Sequence, residues 1–220
     1  MIMKTIKTYD VLATVFYFLL AACSGAQDPL NHQQDPLNRQ NEISNSKNIL
    51  IVYLSRTKNT KAVAEIIHRN TGGTLVELEV QQPYPENYRA IVEQVQKENE
   101  TGFLPALKTK IDSIDKYDVV FVGFPTWGMQ LPPPMKSFLN QYDLSGKTVI
   151  PFNTNGGYGI GSSFEQVKAL CPDSEILEGF SIKGGIERDG ILFVMEGEKR
   201  KEAEYKVQEW LKKIKMISPG

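Results

Sequence analysis

The chain has 220 residues, enough for one domain with additional segments. Its 25 basic and 26 acidic residues nearly balance, and the lysines and arginines are scattered, which argues against nucleic acid as a partner. Two cysteines, Cys23 and Cys171, and two histidines, His32 and His68, match no metal-ligand spacing, so no zinc site is expected.

Taken in chain order, residues 1–22 come first and read as a targeting segment. Lys4 and Lys7 precede an apolar run from Val11 to Ala22, the length of a signal-peptide core and short of a bilayer span. The run ends in Leu20-Ala21-Ala22-Cys23, which resembles the lipobox of bacterial lipoproteins. That resemblance implies cleavage before Cys23 and a diacylglyceryl group on its sulfur. The protein would then be extracytoplasmic, lipid-anchored to a bacterial membrane. A cysteine suits that chemistry because its thiolate is a soft nucleophile. An ordinary secretory signal that happens to contain a cysteine is the other reading.

Residues 23–47 are polar and carry a near-repeat, Gln27-Asp28-Pro29-Leu30-Asn31-His32-Gln33 followed by Gln34-Asp35-Pro36-Leu37-Asn38-Arg39-Gln40. With so few apolar side chains the segment cannot offset its ordering entropy, and a flexible tether is expected.

Residues 48–215 alternate strand and helix signals. Ile49-Leu50-Ile51-Val52-Tyr53-Leu54 is a buried strand that ends in Ser55-Arg56-Thr57-Lys58-Asn59-Thr60. Ala62, Val63, Ile66 and Ile67 then mark one face of a helix. Thr74 to Val80 alternates polar and apolar residues, as an edge strand does. Tyr88, Ile91, Val92 and Val95 give a second helix. Val119 to Phe124 is almost wholly apolar, like a central parallel strand, and Pro125 follows it. Met135, Phe138, Leu139 and Tyr142 mark a third helix, Thr148 to Phe152 a fourth strand, and Phe164 and Val167 a fourth helix. Ile176 to Ile182 reads as the last strand, and Ala203, Val207, Trp210, Leu211 and Ile214 as the last helix. Residues 184–197, including Ile191-Leu192-Phe193-Val194-Met195, are long for the connection between them and could form a hairpin or a lid. The pattern predicts an α/β fold, a doubly wound five-stranded parallel sheet of order 2-1-3-4-5.

In such a sheet, ligands bind beyond the strand C-termini at the switch point. Three loops meet there. Ser55 to Thr60 opens the first helix, where free N–H groups and the helix dipole attract an anion. Ser55, Thr57 and Thr60 can donate an O–H to a phosphate oxygen, and Asn59 an N–H. Pro125-Thr126-Trp127-Gly128-Met129 carries an indole that could stack on a flat ligand or fold back on the sheet edge. Asn153-Thr154-Asn155-Gly156-Gly157-Tyr158-Gly159-Ile160-Gly161 offers a second aromatic ring and backbone polar groups that can approach a heterocycle closely. Together these fit a mononucleotide with a flat head.

These residues resemble the flavodoxin family. Ser55, Thr57, Asn59 and Thr60 match its phosphate-loop pattern Ser/Thr-x-Thr-Gly-Asn-Thr, with Lys58 in place of the glycine. Pro125-Thr126-Trp127-Gly128, Met135-Lys136-Ser137-Phe138-Leu139, Ser145-Gly146-Lys147-Thr148 and the loop from Phe152 to Gly161 resemble a bacterial flavodoxin-like subfamily. The resemblance implies bound FMN, with its phosphate at Ser55 to Thr60 (Arg56 and Lys58 included). Its ring would lie against Trp127 within Pro125 to Gly128, and its polar edge near Asn153, Thr154, Asn155, Gly156, Gly157 and Tyr158. A redox partner protein or a small quinone-like acceptor would exchange electrons with it. The three loops contain no Asp or Glu, and Arg56 and Lys58 are taken as the only nearby charges. FMN here is therefore expected to be easier to reduce than in acidic flavodoxins.

Other readings of the fold fail on their motifs. A nicotinamide-binding Rossmann domain needs Gly-x-Gly-x-x-Gly there, and the turn has no glycine. A response-regulator receiver needs acidic residues where Ser55-Arg56 stands. A P-loop fails because Gly146-Lys147-Thr148 lacks the upstream glycine and precedes a strand. Cys171 is expected to pack and His68 to lie at the surface. A non-catalytic extracytoplasmic binding module, with the fold but without flavin, is the functional alternative, and Lys58 is the feature that favours it.

Overall fold

A computed structural model describes residues 47–219; the leader, Cys23 and residues 24–46 of the tether lie outside the described residues. Apolar runs rich in β-branched residues form the two innermost strands, β1 (Ile49–Tyr53) and β3 (Val119–Pro125), which are shielded on both faces. Around them lie β2 (Thr74–Glu77), β4 (Thr148–Asn155), β5 (Glu175–Ile176) and β6 (Phe180–Lys183). Every strand pairing is parallel, in the order β2-β1-β3-β4, with β5 and β6 both on the far side of β4. The expected 2-1-3-4-5 order holds, with β2 at the edge.

The helices are α1 (Asn59–Thr71), α2 (Tyr88–Thr101), α3 (Pro133–Gln141), α4 (Ser163–Leu170) and α5 (Gly197–Lys213). Strand alternation divides the core into two layers. Ile49, Ile51, Phe121 and Ile150 pack with Val63 and Ile66 of α1 and Val207 and Leu211 of α5. Leu50, Val52, Val120 and Val122 pack on the other face with Met135 and Phe138 of α3 and Val167 of α4. Each such side chain contributes roughly 1.5–3 kcal/mol on burial. Ile91 and Val95 of α2 are buried too, yet belong to neither layer.

Three features depart from the sequence pattern. The alternating segment Thr74–Val80 leaves regular pairing after Glu77, and Val80 instead bridges antiparallel to Leu107. The segment from Ile176 to Ile182, predicted as one strand, is broken. Val149 faces Ile176 but Phe152 faces Phe180, so four steps on one strand run against three on the other. That extra residue is a bulge. Its cause is visible: a Cβ on Gly179 would sit 2.4 Å from the Phe164 ring, and the Glu178 carbonyl accepts from Trp210 Nε1 at 2.9 Å. His68, expected at the surface, is half-buried beside Ile66 and Ile67, and its Nδ1 has no hydrogen-bond partner among the described residues.

The C-terminal end of β3 is where the ligand loops must start, and it is packed without slack. Gly123 lies opposite Phe152 in register, and a Cβ there would meet the Phe152 ring at 2.0 Å. Gly123→Ala is expected to destabilise the protein by about 1–3 kcal/mol, because this overlap outweighs alanine's smaller backbone entropy cost. Urea unfolding checks it: an unchanged midpoint would mean that the ring simply moves aside.

Candidate functional site

The loops leaving β1, β3 and β4, together with α2 and residues 184–188, enclose a cavity of about 620 Å³. That size lies within the usual range for small-molecule sites, roughly 300–1,000 Å³. Of the residues singled out by sequence, Thr57, Asn59, Pro125, Thr126, Trp127, Gly128, Thr154, Asn155, Gly156 and Tyr158 line it. Ser55, Arg56, Lys58, Thr60, Asn153 and Gly157 do not.

At the head of α1, Lys58 takes the left-handed conformation, φ 65° and ψ −2°. The backbone N–H groups of Ser55 to Thr60 donate to no other group among the described residues. Six consecutive free amides at the positive end of a helix make an anion cradle from the backbone itself. The side chains mostly hold the turn. Ser55 Oγ accepts from Lys61 N at 3.1 Å, and Thr57 Oγ1 accepts from Asn59 Nδ2 at 2.8 Å, which leaves both O–H groups free to donate outward. Thr60, expected to face a phosphate, is buried with its Oγ1 2.8 Å from Thr154 Oγ1, a contact that ties α1 to β4.

Asn59 also departs from expectation. It is only 3% exposed, and its amide is spent on the connection between β6 and α5. Nδ2 donates to Leu192 O at 2.6 Å and Oδ1 accepts from Val194 N at 3.1 Å. Arg56 makes a second tie to the same segment. Its Nε donates to Glu187 at 2.6 Å, and its other nitrogens donate to the carbonyls of Pro85 and Glu86. Arg56 and Lys58 are therefore not the only charges nearby. Glu187, Arg188 and Glu100 line the cavity, and Glu187 is neutralised by Arg56. The loops read from sequence hold no carboxylate because the carboxylates come from α2 and from residues 184–197. That segment forms a short antiparallel bridge, Ile186 with Ile191, around a single helical turn at Glu187–Asp189.

Trp127 is half-buried, and its ring meets Tyr84 edge-on at 5.2 Å between centroids. Tyr84 is fixed in turn by the Glu98 carboxylate, 6% exposed, which accepts its O–H at 2.6 Å. Burial and the adjacent Glu98 raise the Tyr84 phenol well above its ordinary pKa. Trp127 and Gln130 exchange backbone hydrogen bonds across Gly128 and Met129, both left-handed at φ 57° and 58°, a tight hairpin turn that sets the indole at the cavity wall.

In the third loop, β4 runs three residues further than its apolar pattern indicates. Asn153 is fully buried and its Nδ2 donates to Phe124 O at 3.0 Å, which pins β4 to β3 rather than rimming the site. Asn155 Oδ1 accepts from the N–H groups of Gly157 and Gly159 and so shapes the turn that presents Tyr158. Tyr158 is largely exposed, with the Arg188 guanidinium 5.8 Å from its ring centroid. Cys171 lies away from the cavity, and burial pushes its thiol up to about 11, as suits a packing residue.

Sequence patterning missed the outer wall. Tyr88, Ile91, Val92 and Val95 were legible as a helix stripe, but this stripe faces the cavity with Gln96, Asn99 and Glu100 beside it. Residues 184–188 close the opposite side, and the unusual length of their segment was the one signal that pointed to them.

A family model described as Flavodoxin matches residues 48–197. Among curated proteins none matches. Several solved structures do. A proposed flavoprotein from Bacteroides eggerthii is 31% identical, covering 77% of this chain and 99% of its own, with a TM-score of 0.62. A second, from Bacteroides uniformis, is 23% identical over 74% of this chain and 98% of its own, with a TM-score of 0.61. A flavoprotein in complex with FMN, from Lactobacillus acidophilus, is 21% identical over 66% of this chain and 99% of its own, with a TM-score of 0.56. The last two are likenesses of fold.

The double tie from Asn59 is expected to govern the stability of the segment over the site. Asn59→Ala removes both hydrogen bonds to it and should speed amide exchange at Val194 by about tenfold or more, while exchange in β1 and β3 stays slow. Hydrogen-exchange mass spectrometry that finds residues 190–196 equally protected in variant and wild type would show that Arg56 alone suffices.

Proposed function

The chain belongs to the flavodoxin family, and from that premise we propose that it is an FMN-binding redox protein serving electron transfer or quinone-type reduction. Its electron partner in this reading is a protein or a small quinone-like acceptor, and a lipid on Cys23 holds it outside the cytoplasm, as the sequence Leu20-Ala21-Ala22-Cys23 supports. The observation that carries the reading is the meeting at one cavity of Thr57 and Asn59, from the loop with free backbone amides, and two aromatic side chains. A neutral donor cradle at a helix N-terminus suits a phosphate, and Trp127 and Tyr158 suit a flat conjugated ring. The Lactobacillus protein of the same fold is crystallised with FMN, which agrees with this donor set.

FMN, when bound, supplies the redox chemistry; the chain supplies binding, orientation and local charge. The amides of Ser55 to Thr60 and the hydroxyls of Ser55 and Thr57 would hold the phosphate. Trp127, braced by Tyr84, and the exposed Tyr158 would flank the ring, with Asn155 and Gly156 at its polar edge. Glu187 carries little net charge toward the site because Arg56 sits 2.6 Å away. Glu100 is then the one cavity-lining carboxylate without a cationic partner among the described residues. So few unpaired carboxylates leave little Coulomb opposition to an anionic reduced ring.

The flavin-free binding module drew its support from Lys58. Because Lys58 adopts the left-handed conformation that glycine favours, the turn keeps its shape and that support falls away.

Purified protein is expected to be yellow, or to become so on adding FMN, with flavin fluorescence quenched on binding. Trp127→Ala should weaken FMN binding by about tenfold. A redox titration of the loaded protein should place its second step above that of flavodoxins ringed by carboxylates. Folded protein that stays colourless with excess FMN would reject the flavin reading and leave the binding module.

A further inference from the structure

On the α2 side of the cavity a cation is held without a counter-ion. Lys136 of α3 is half-buried, and its Nζ donates to Asn99 Oδ1 at 2.9 Å and to Gln130 Oε1 at 3.3 Å. No carboxylate pairs with it among the described residues; the nearby Glu100 accepts instead from Gln96, on its own helix. Burial without a counter-ion lowers the Lys136 pKa.

The ammonium decides how the two amides lie. It can only donate, so each carboxamide must turn its oxygen toward Nζ and its NH₂ away. Gln130 Oε1 also accepts from Gln166 Nε2 at 3.2 Å, and Gln166 Oε1 is taken by Leu131 N, which fixes Gln130 from a second side. Asn99 Nδ2 is left near Gly128, where a Cβ would come within 3.6 Å of it. Neither Asn99 Nδ2 nor Gln130 Nε2 donates to any group among the described residues, and both residues line the cavity. Two carboxamides that turn their oxygens to one ammonium thus leave free N–H donors on residues that line the cavity with Trp127.

We propose that Asn99 and Gln130 form a subsite that takes a carbonyl oxygen carried on the edge of a planar conjugated ring, with Lys136 as the positioning residue. The subsite rests on reading the cavity as a redox site for flat ligands. A carbonyl gains partial negative charge when its ring is reduced, and preoriented donors stabilise such charge without reorganising. The apolar stripe of Ile91, Val92 and Val95 covers the rest of such a ring. Two molecules carry the required group: the flavin itself and a quinone bound beside it.

The test follows the side-chain NH₂ signals of Asn99 and Gln130 by ¹⁵N NMR in the purified protein. Three probes are titrated: FMN, menadione, and 2-methylnaphthalene, which has menadione's ring and methyl group but no carbonyl. FMN or menadione should shift both NH₂ pairs, and whichever does so identifies the source of the carbonyl; 2-methylnaphthalene should leave them in place. Lys136→Met should bind that ligand about tenfold more weakly. Asn99→Asp, which pairs with Lys136 and so keeps the fold, should bind it more weakly still because it replaces the donor by an anion. The proposal is overturned if neither carbonyl ligand moves the signals, if the hydrocarbon moves them equally, or if both variants bind like wild type. A colourless protein whose NH₂ signals respond to menadione would retain this subsite and reject the flavin. A yellow protein with unmoved signals would do the reverse.

Discussion

The turn between β1 and α1 must satisfy two opposed demands. To hold an anion it has to leave its backbone amides unpaired, and unpaired amides cannot hold the turn in place. The chain resolves this by giving the fastening to side chains. Ser55 caps the amide of Lys61, Thr60 reaches across to Thr154, and Asn59 grips both a carbonyl and an amide of the segment above. Buried side-chain hydrogen bonds of this kind are worth about 1 kcal/mol each, and more is lost when one partner is left alone. The cradle is thus a backbone feature fastened by side-chain hydroxyls and a carboxamide.

The same fastening sets the outer boundary of the cavity. Arg56 stands in the first loop but spends all three donor directions elsewhere: on Glu187 and on the carbonyls of Pro85 and Glu86. With the arginine and its carboxylate only 19% and 21% exposed, solvent screens the pair less than it would a surface bridge. Three segments far apart in sequence are drawn together at one guanidinium. Its planar fork suits that task, and a lysine could not satisfy it. Met195, almost wholly buried, anchors the far end of the segment in the core. Function and stability are coupled here, because what holds the residues 184–196 in place also shapes the mouth of the site.

The fold was legible because its signals are local and redundant. Near-continuous apolar runs at Ile49–Tyr53 and Val119–Phe124 can only be inner parallel strands when helices separate them, and that fixes the sheet order within narrow limits. The bulge before Phe180 was not legible, since it depends on Phe164 and Trp210 arriving from two helices. At the site, sequence located the loops but not the duties within them. Whether Asn59 or Thr60 turns outward depends on what lies above, and the 133-residue separation between Asn59 and Leu192 leaves no local trace. The outer wall was hidden for a different reason. A helix stripe such as Ile91, Val92 and Val95 reads the same whether it faces a sheet or a cavity.

Lys58 shows why a departure from a family pattern must be weighed by its local cost. A left-handed conformation costs a side-chain residue roughly 1–2 kcal/mol relative to glycine. Glycine in turn loses more backbone freedom on folding, which returns roughly 0.5–1 kcal/mol to any other residue. The balance is small for a domain of this size, provided that the side chain meets no obstacle. Lys58 is exposed, and its carbonyl still accepts from Ala62 N at 3.0 Å to start the helix. A bulky or β-branched residue there would be harder to place, whereas the unbranched, exposed lysine side chain can extend into water. The conformation demanded by the turn, and not the identity of the residue that adopts it, is what the cradle requires.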